Sequence, residues 1–333
     1  MTSSIHIGII RTSSIGDVTL ATACLEMIKN LSQNIKVTWF GSNPSLSLIK
    51  DSYPDVQTIE FHKKSKSSTA VKSFGHLNFI VDLQRSSYSA IFCYNFRARY
   101  KRNTYSVEKN YFDRYLKIIQ SNIRGRRRNK PYEVTKYFQQ DLMKNCLFNA
   151  LKTEDPSGSY SSNLLQVSPH LNLRESWSMK PAWYKELETK TWLAIAPGAS
   201  YPAKQTPAEV LTDIISETIR SINLSLPKHS ENFGLVFVGD KSDREYAHQI
   251  ISSLQQKYSP LLNLAGTLTL KETALVLKKS ACLLGNDSGL SHIAEALKTP
   301  VAVLFGATTQ EFGFGPHLDK SRAFSAPLGC RPC

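Results

Sequence analysis

Hydrophobic positions along the chain form short apolar runs that alternate with stretches of helical periodicity. The runs that predict strands lie at 5–11, 36–40, 56–61, 79–83, 90–94, 192–196, 235–238, 281–284 and 300–306. The helical patterns lie at 17–29, 44–50, 104–151, 207–221 and 270–279, and the pattern at 104–151 is broken near Gly125 and Pro131. Strands that alternate with helices predict an α/β fold with parallel, doubly wound sheets.

The alternation is interrupted by residues 153–181, which are rich in Ser, Asn and Pro and show weak periodicity. A chain of 333 residues is long enough for two domains, each with its own core. We therefore expect one Rossmann-like domain over residues 1–175 and a second over 186–333. Ligands are expected at the carboxyl ends of the strands, in a cleft between the domains.

Positive charge is concentrated in one part of the chain. The formal net charge is +14, and the segment 97–130 alone carries twelve basic and two acidic residues. Such a cluster predicts an anionic membrane surface, a phosphorylated substrate or nucleic acid as partner, and a solvated face without a partner is the alternative. The segment shows no helix-turn-helix, zinc-finger or aromatic RNA-binding signature, so no nucleic acid is expected.

The remaining composition is that of a soluble globular protein, with 41% hydrophobic and 20% charged residues. No apolar stretch reaches the length of about 18 residues that would suggest a membrane-spanning helix, and the N-terminus lacks the features of a signal peptide. We expect a cytoplasmic protein with reduced thiols. The pair Cys330 and Cys333 lacks the two further ligands that zinc needs, so no metal site is predicted there.

A polar turn, GNDSGLSH at 285–292, joins a predicted strand to a predicted helix. Such a turn directs free backbone N–H groups and the positive helix end at one point, which suits an anion. Asp287 or Ser288 can cap the helix, and Gly289 lets a ligand approach the backbone closely. His292 could reach the same anion or pack against the sheet. An ordinary βα turn with a good cap is the alternative.

A turn of the same kind, RTSSIGD at 11–17, follows the first predicted strand. It contains only Gly16 of the three glycines in a dinucleotide fingerprint, so a dehydrogenase is not expected. Asp17 stands at the start of a helix, where it could accept a proton from an attacking hydroxyl or serve only as a cap.

Further polar residues follow strands of the second domain. Ser200 and Lys204 lie in a turn after a strand, where a hydroxyl and a cation can meet phosphate. Glu245 lies near the start of the helix after the strand 235–238, where a carboxylate can bind the two hydroxyls of a ribose. A favourable charge at a helix N-terminus is the alternative for Glu245.

Five motifs occur in one order along the chain. They are IIRTSSIGD at 9–17, IVDLQ at 80–84, APGAS at 196–200 with Lys204, NDSGLSH at 286–292, and VLFGAT at 303–308 with Gly315 and Pro316. Together they resemble the bacterial lipopolysaccharide heptosyltransferases, family 9 of the glycosyltransferases, over nearly the whole chain. The resemblance implies the GT-B architecture, in which two Rossmann-like domains face each other across an interdomain cleft. It also implies inverting transfer of heptose from ADP-heptose to the inner core (Kdo or heptose) of lipopolysaccharide.

The resemblance also implies roles for single residues. Asp17 would be the catalytic base, and Lys204 would stabilise the leaving pyrophosphate. The donor-binding residues would be Ser200, Lys204, Glu245, Asp287, Ser288, Gly289 and His292. No cofactor is expected to be obligatory, and a divalent metal is not expected to be essential.

The acceptor expected from the resemblance is a phosphorylated acidic glycolipid. Its predicted contacts are Ser14, Gly16 and Arg85, and the protein is expected to associate peripherally with the anionic cytoplasmic face of the inner membrane. The alternatives are a GT-B transferase that uses another nucleotide sugar and an acidic glycan acceptor, an inactive relative, and a non-enzymatic polyanion-binding protein.

Overall fold

The structure is a computed structural model that describes residues 4–31, 34–61, 71–107, 139–175, 177–225, 233–254, 258 and 260–325. The basic residues from Lys109 to Lys130, the predicted helix break and the final cysteine pair lie outside the described residues. Within the described ranges, the chain divides into a first unit of residues 4–107 and 139–174 and a second unit of residues 175–325. The change of unit falls between Arg174 and Glu175.

The first unit contains a parallel sheet with helices. Its elements are β1 (Ile5–Ile10), α1 (Ile15–Lys29), β2 (Ile35–Gly41), α2 (Ser45–Ser52), β3 (Gln57–Glu60), β4 (Phe79–Asp82), α3 (Ser87–Tyr100), β5 (Thr104–Ser106) and α4 (Gln139–Glu154). The strand order is β3-β2-β1-β4-β5, and every neighbouring pair is parallel. The central strands are apolar because helices cover both faces of such a sheet. Aromatic rings pack edge to face beside them, with the Phe40 and Phe74 centroids 5.0 Å apart.

Two predictions in this unit are wrong. The run 90–94 is not a strand, because it lies inside α3. The buried residues of α3 are Ser89, Phe92, Cys93 and Phe96, which have the three- and four-residue spacing of a helix. The helix starts at the N-cap Ser86, whose hydroxyl accepts the backbone N–H of Ser89. The predicted helix 104–151 instead starts with β5, and its described later part belongs to α4.

The second unit has the same construction. Its elements are α5 (Ala182–Leu187), β6 (Thr191–Ala196), α6 (Ala208–Ser225), β7 (Phe233–Phe237), α7 (Asp243–Leu254), β8 (Leu261–Asn263), α8 (Leu270–Lys279), β9 (Cys282–Asn286), α9 (Gly289–Ala296), β10 (Val301–Phe305) and β11 (Arg322–Ser325). The strand order is β8-β7-β6-β9-β10-β11, and all neighbours are parallel. One apolar cluster joins β6 and β7 to α6 and α7.

Both sheets reverse the direction of their strand order at one place. In the first unit β1 lies between β2 and β4, and in the second unit β6 lies between β7 and β9. The reversal therefore falls between β1 and β4 and between β6 and β9. The predicted fold class, two doubly wound Rossmann-like units, is confirmed. Ligands of such sheets bind outside the carboxyl ends of the strands at these switch points.

Candidate functional site

All the candidate residues except Glu245 lie at the two switch points, one set in each unit. The turn after β1 carries Ser14, Gly16 and Asp17, and the loop after β4 carries Arg85. The loop after β6 carries Ser200 and Lys204, and the turn after β9 carries Asp287, Ser288 and Gly289, with His292 in α9. Glu245 lies in α7, after β7. The topology therefore explains why residues far apart in sequence share one edge of each sheet.

The carboxylate of Asp17 has one occupied and one open oxygen. Oδ2 lies 2.7 Å from Nη2 of Arg11, and it accepts the backbone N–H of Ser14 at 3.2 Å and the Ser14 hydroxyl at 3.0 Å. No group of the described residues bonds to Oδ1. The Arg11 side chain is 8% exposed and the Asp17 side chain 22%. The buried guanidinium thus fixes a carboxylate whose other oxygen is available to a ligand.

The backbone of this turn is held from two neighbouring loops. The Gln84 side chain, after β4, accepts the N–H groups of Thr12 at 3.0 Å and Ser13 at 3.2 Å. The Ser42 hydroxyl, after β2, donates to the Thr12 carbonyl at 2.6 Å. These bonds limit the conformations of the turn, so the orientation of Asp17 is prepared before any ligand binds.

The predicted acceptor contacts have different environments. The Ser14 hydroxyl donates to Asp17, and Gly16 is buried in the first turn of α1. Arg85 is exposed and has a positive φ of 45°, and its guanidinium donates to the Val107 carbonyl at 3.2 Å. The backbone N–H of Arg85 donates to the buried Asp82 at 2.8 Å, which fixes the start of the loop. Their roles in acceptor binding stay predictions.

Asn286 organises the switch point of the second unit. It is fully buried, and its Nδ2 donates to the carbonyls of Pro197 at 2.7 Å and Gly198 at 3.3 Å. Its Oδ1 accepts the backbone N–H of Thr206 at 3.1 Å and the Thr206 hydroxyl at 2.6 Å. Asn286 therefore ties both ends of the loop that carries Ser200 and Lys204 to β9.

Lys204 and Asp287 form an ion pair across this switch point. Nζ of Lys204 lies 2.7 Å from Oδ2 of Asp287, which also accepts the Thr308 hydroxyl at 2.8 Å. The Asp287 side chain is 9% exposed and the Lys204 side chain 25%. Asp287 does not cap α9, because its carboxylate is used to hold Lys204. A cation with a fixed orientation is available here for a phosphate.

The first turn of α9 offers donors next to this pair. Ser288 is the N-cap, but its side chain makes no cap bond, and its buried hydroxyl oxygen has no hydrogen-bond partner among the described residues. The first backbone N–H groups of a helix also lack partners within the helix. This combination of an unsatisfied hydroxyl and a positive helix end is suited to an anion.

His292 and Glu295 lie further along α9 and are both buried. The His292 ring lies 6.1 Å from the Phe314 ring, centroid to centroid. Glu295 accepts the backbone N–H of His317 at 2.8 Å and pairs with the His317 ring at 2.9 Å. Burial raises the pKa of Glu295, but the bonds and charge of His317 outweigh it and hold that pKa below its ordinary value. This pair ties the segment that carries Phe314 and His317 to α9.

A carboxylate that the sequence analysis missed lies beside the glycine turns after β6 and β7. A Cβ placed on Gly198 would lie 1.8 Å from Oδ1 of Asp243, and one placed on Gly239 would lie 2.4 Å from Oδ2. Burial raises the pKa of the half-buried Asp243, while the backbone N–H of Asp240 acts in the opposite direction. The predicted Glu245 is exposed, two residues further along α7. The available sequence signal was the position of Asp243 at the first residue of α7, four residues after Gly239.

The described part of the chain contains no cluster of three or more His, Cys, Asp or Glu side chains that could hold a metal ion. None of its helices is both long enough and apolar enough to cross a bilayer.

Comparison with known proteins identifies the family of this chain. A family model described as glycosyltransferase family 9 (heptosyltransferase) matches residues 75–333. Lipopolysaccharide heptosyltransferase 2 of Escherichia coli K12 is 25% identical over 175 residues, 52% of this chain. That match spans only 42% of the length of the relative.

Solved structures show the same fold at low sequence identity. E. coli ADP-heptose lps heptosyltransferase II has a TM-score of 0.67 at 18% identity, over 96% of this chain and 90% of that one. E. coli heptosyltransferase WaaC, solved with ADP, has a TM-score of 0.65 at 14% identity, over 98% of this chain and 95% of that one. Two Rossmann-like units of the GT-B type thus account for the fold, and the extent of the family match shows that this chain belongs to glycosyltransferase family 9 (heptosyltransferase).

Proposed function

We propose that the protein is an inverting glycosyltransferase that moves heptose from ADP-heptose to the inner core (Kdo or heptose) of lipopolysaccharide. Family membership and the names of the relatives support the reaction class, and the relative solved with ADP supports the nucleotide. The observation that carries the proposal is the carboxylate of Asp17, which is held through one oxygen and open at the other, at a switch point.

Asp17 acts as the general base. As the acceptor hydroxyl attacks the anomeric carbon, Oδ1 accepts its proton, and ADP leaves from the opposite face of the sugar. Arg11 is a positioning residue in this scheme. Its bond to Oδ2 fixes the carboxylate and leaves Oδ1 open.

The second unit holds the donor. Negative charge grows on the pyrophosphate as ADP leaves, and Lys204, the Ser288 hydroxyl and the N-terminal amides of α9 stabilise it. Asp287 keeps Lys204 in place, and the exposed Ser200 supplies a further hydroxyl.

Because these donors belong to the chain itself, we propose that a divalent metal is not essential. Activity that survives EDTA supports this point, and loss restored by Mg²⁺ contradicts it.

The donor ribose is assigned to Asp243, with Glu245 as the sequence-based alternative. The support is the position of the Asp243 carboxylate, which fills the space beside Gly198 and Gly239 at the turns that follow β6 and β7. Asp243→Asn is expected to weaken ADP binding about tenfold, which is the value of one hydrogen bond to a charged group. Glu245→Gln is the matched control, measured by calorimetry. A larger loss in Glu245→Gln reverses the assignment.

The proposed acceptor is a phosphorylated acidic glycolipid at the cytoplasmic face of the inner membrane. Concentrated positive charge in the segment 97–130 supports an anionic partner of this kind. The exposed Arg85 and the Ser14 hydroxyl are the described groups assigned to its phosphates and hydroxyls.

The decisive experiment is transfer from ADP-heptose to a purified inner-core acceptor, followed by mass spectrometry. ADP-, UDP- and GDP-sugars are compared in the same assay by nucleotide release. Transfer from ADP-heptose that is lost in Asp17→Asn supports the proposal. Faster nucleotide release from a UDP- or GDP-sugar would show that the donor is not ADP-heptose. Nucleotide release that does not depend on the acceptor would show that the protein is not a transferase.

A further inference from the structure

Helix α3 is apolar on two sides, and one of them packs inside the first unit. Its buried side presents Phe92, Cys93 and Phe96. On the other side Ile91 is 53% exposed and Tyr94 is 72% exposed. Single exposed apolar residues are ordinary on protein surfaces, but these two are neighbours on one helix face. The outer side of α3 is therefore unlike the polar face of an ordinary surface helix.

The same side of the helix is positively charged. Arg97 follows Tyr94 by three residues, and Lys101, the C-cap residue at the end of the helix, follows Arg97 by four; both are exposed. Arg99 is exposed as well, and the range 87–101 contains no Asp or Glu. A surface with apolar, aromatic and cationic side chains but no acid is complementary to an anionic layer that has an apolar interior.

We propose that the α3 face, defined by Ile91, Tyr94, Arg97 and Lys101, docks on a bilayer surface that contains anionic lipid. Ile91 enters the boundary between head groups and acyl chains. The Tyr94 ring lies at the same depth, because its ring is apolar and its hydroxyl is polar. Arg97 and Lys101 bind the lipid phosphates.

The position of the helix connects this docking with the candidate site. α3 begins at Ser87, directly after the loop that carries Arg85, and the Tyr88 hydroxyl bonds to the Thr12 side chain in the turn of Asp17. Docking through α3 therefore brings this edge of the first unit near the membrane. In this respect the inference rests on the proposed function, in which the acceptor is a glycolipid.

Helix α6 provides a matched control within the same chain. It exposes Val210 at 47% and Leu224 at 70%, so its exposed apolar side chains resemble those of α3. Exposed acids, Glu209, Asp213 and Glu217, accompany them. An anionic surface repels such a face, and a comparison of the two helices separates charge complementarity from simple exposure of apolar side chains.

The test is co-sedimentation of the full chain with phosphatidylcholine vesicles, with and without phosphatidylglycerol. Wild-type protein is expected to bind only the anionic vesicles and to dissociate at high salt. Arg97→Gln with Lys101→Gln is expected to lower the partition coefficient about fivefold per charge. Ile91→Ser with Tyr94→Ser is expected to lower it about tenfold. Val210→Ser with Leu224→Ser should leave it unchanged, and circular dichroism confirms that each variant is folded.

Three results overturn the inference. The first is vesicle binding of both α3 double variants at the wild-type level, and the second is an equal loss of binding in the α6 double variant. The third is a wild-type protein that binds no vesicles but forms a dimer, which the Ile91→Ser, Tyr94→Ser double variant no longer forms. The last result would assign the α3 face to a second copy of the chain. Transfer to a soluble, delipidated inner-core acceptor is measured in parallel. Failure of that assay in the wild type rejects the proposed function, whereas normal transfer without vesicle binding rejects only the docking.

Discussion

The two switch points contain the same kind of ion pair with opposite exposure of its members. Arg11 pairs with Asp17 in the first unit and Lys204 with Asp287 in the second, each at 2.7 Å. In the first pair the carboxylate is the more exposed member, at 22% against 8% for the cation. In the second pair the cation is the more exposed member, at 25% against 9% for the carboxylate. Each unit therefore presents one charge to a ligand and buries the partner that orients it.

This difference gives each unit a chemical role that the fold alone does not determine. An exposed carboxylate can remove a proton, and an exposed cation can stabilise charge on a phosphate. In each pair the more exposed member is the counter-ion of the buried charge, so neither Arg11 nor Asp287 is buried without a partner of opposite charge. One strand order, used twice, thus presents a carboxylate in one unit and a cation in the other.

The largest expected effect comes from the exposed acid. Asp17→Asn keeps the shape of the side chain but removes its ability to accept a proton. We expect kcat to fall by about 10²- to 10⁴-fold, the usual contribution of a general base. ADP binding, measured by calorimetry, should be unchanged, because the proposed donor contacts all lie in the second unit. Ser14→Ala removes a bond to the tethered oxygen and a proposed acceptor contact but leaves Oδ1 in place, so its loss of kcat should be much smaller. Equal losses of rate and ADP affinity in Asp17→Asn would exclude a base.

Substitution of the more exposed cation, Lys204, should give the next largest effect, and this effect is on ADP affinity instead of kcat. In the proposed function Lys204 binds the pyrophosphate through a charge-assisted bond, so we expect Lys204→Gln to lower ADP affinity about 10- to 100-fold. Lys185→Gln, which removes an exposed charge from α5 in the same unit, is the control. Calorimetry with ADP measures both. Unchanged affinity in Lys204→Gln would mean that the cation serves only its pair with Asp287.

Much of this comparison could be predicted from the sequence, because Rossmann-like units place polar turns directly after short apolar strands. Both turns and the residues Asp17 and Lys204 were identified in that way. The error in α3 has a local cause. The run 90–94 is short and apolar like a strand, and its helical period becomes visible only when the buried Ser89 is counted with Phe92 and Phe96.

The pairing of charges could not be predicted from the sequence. Asp287 looked like a helix cap, but its partner Lys204 lies 83 residues away in the chain. That contact depends on the adjacency of β6 and β9 in the sheet. The choice between Asp243 and Glu245 likewise depends on Gly198, which comes from another strand. Contacts between loops of different strands need the three-dimensional register, and local patterns do not contain it.

The buried cation tests whether orientation matters in the first pair. Arg11→Met leaves Asp17 without the bond that fixes Oδ2, so we expect kcat to fall about tenfold while KM for the donor stays the same. Arg11→Lys retains a charge near Oδ2 and should recover most of the rate. Circular dichroism is needed in parallel, because Arg11 also bonds to the Leu83 carbonyl. Loss of structure in Arg11→Met, or a rate in Arg11→Lys no higher than in Arg11→Met, would make Arg11 a purely structural residue.

The smallest effect is expected from the buried acid. Asp287→Asn preserves an oxygen for the Thr308 hydroxyl but weakens the hold on Lys204. The change has two opposing consequences, because removal of a negative charge near the pyrophosphate favours the donor while a less ordered Lys204 disfavours it. We therefore expect ADP affinity to change less than about threefold and kcat to fall about fivefold, in line with one weakened charge-assisted bond. Thr308→Val, which removes only the hydroxyl bond to Asp287, should cause a smaller fall in the same direction. If ADP affinity instead drops as far in Asp287→Asn as in Lys204→Gln, Asp287 binds the donor directly, and the second pair does not mirror the first.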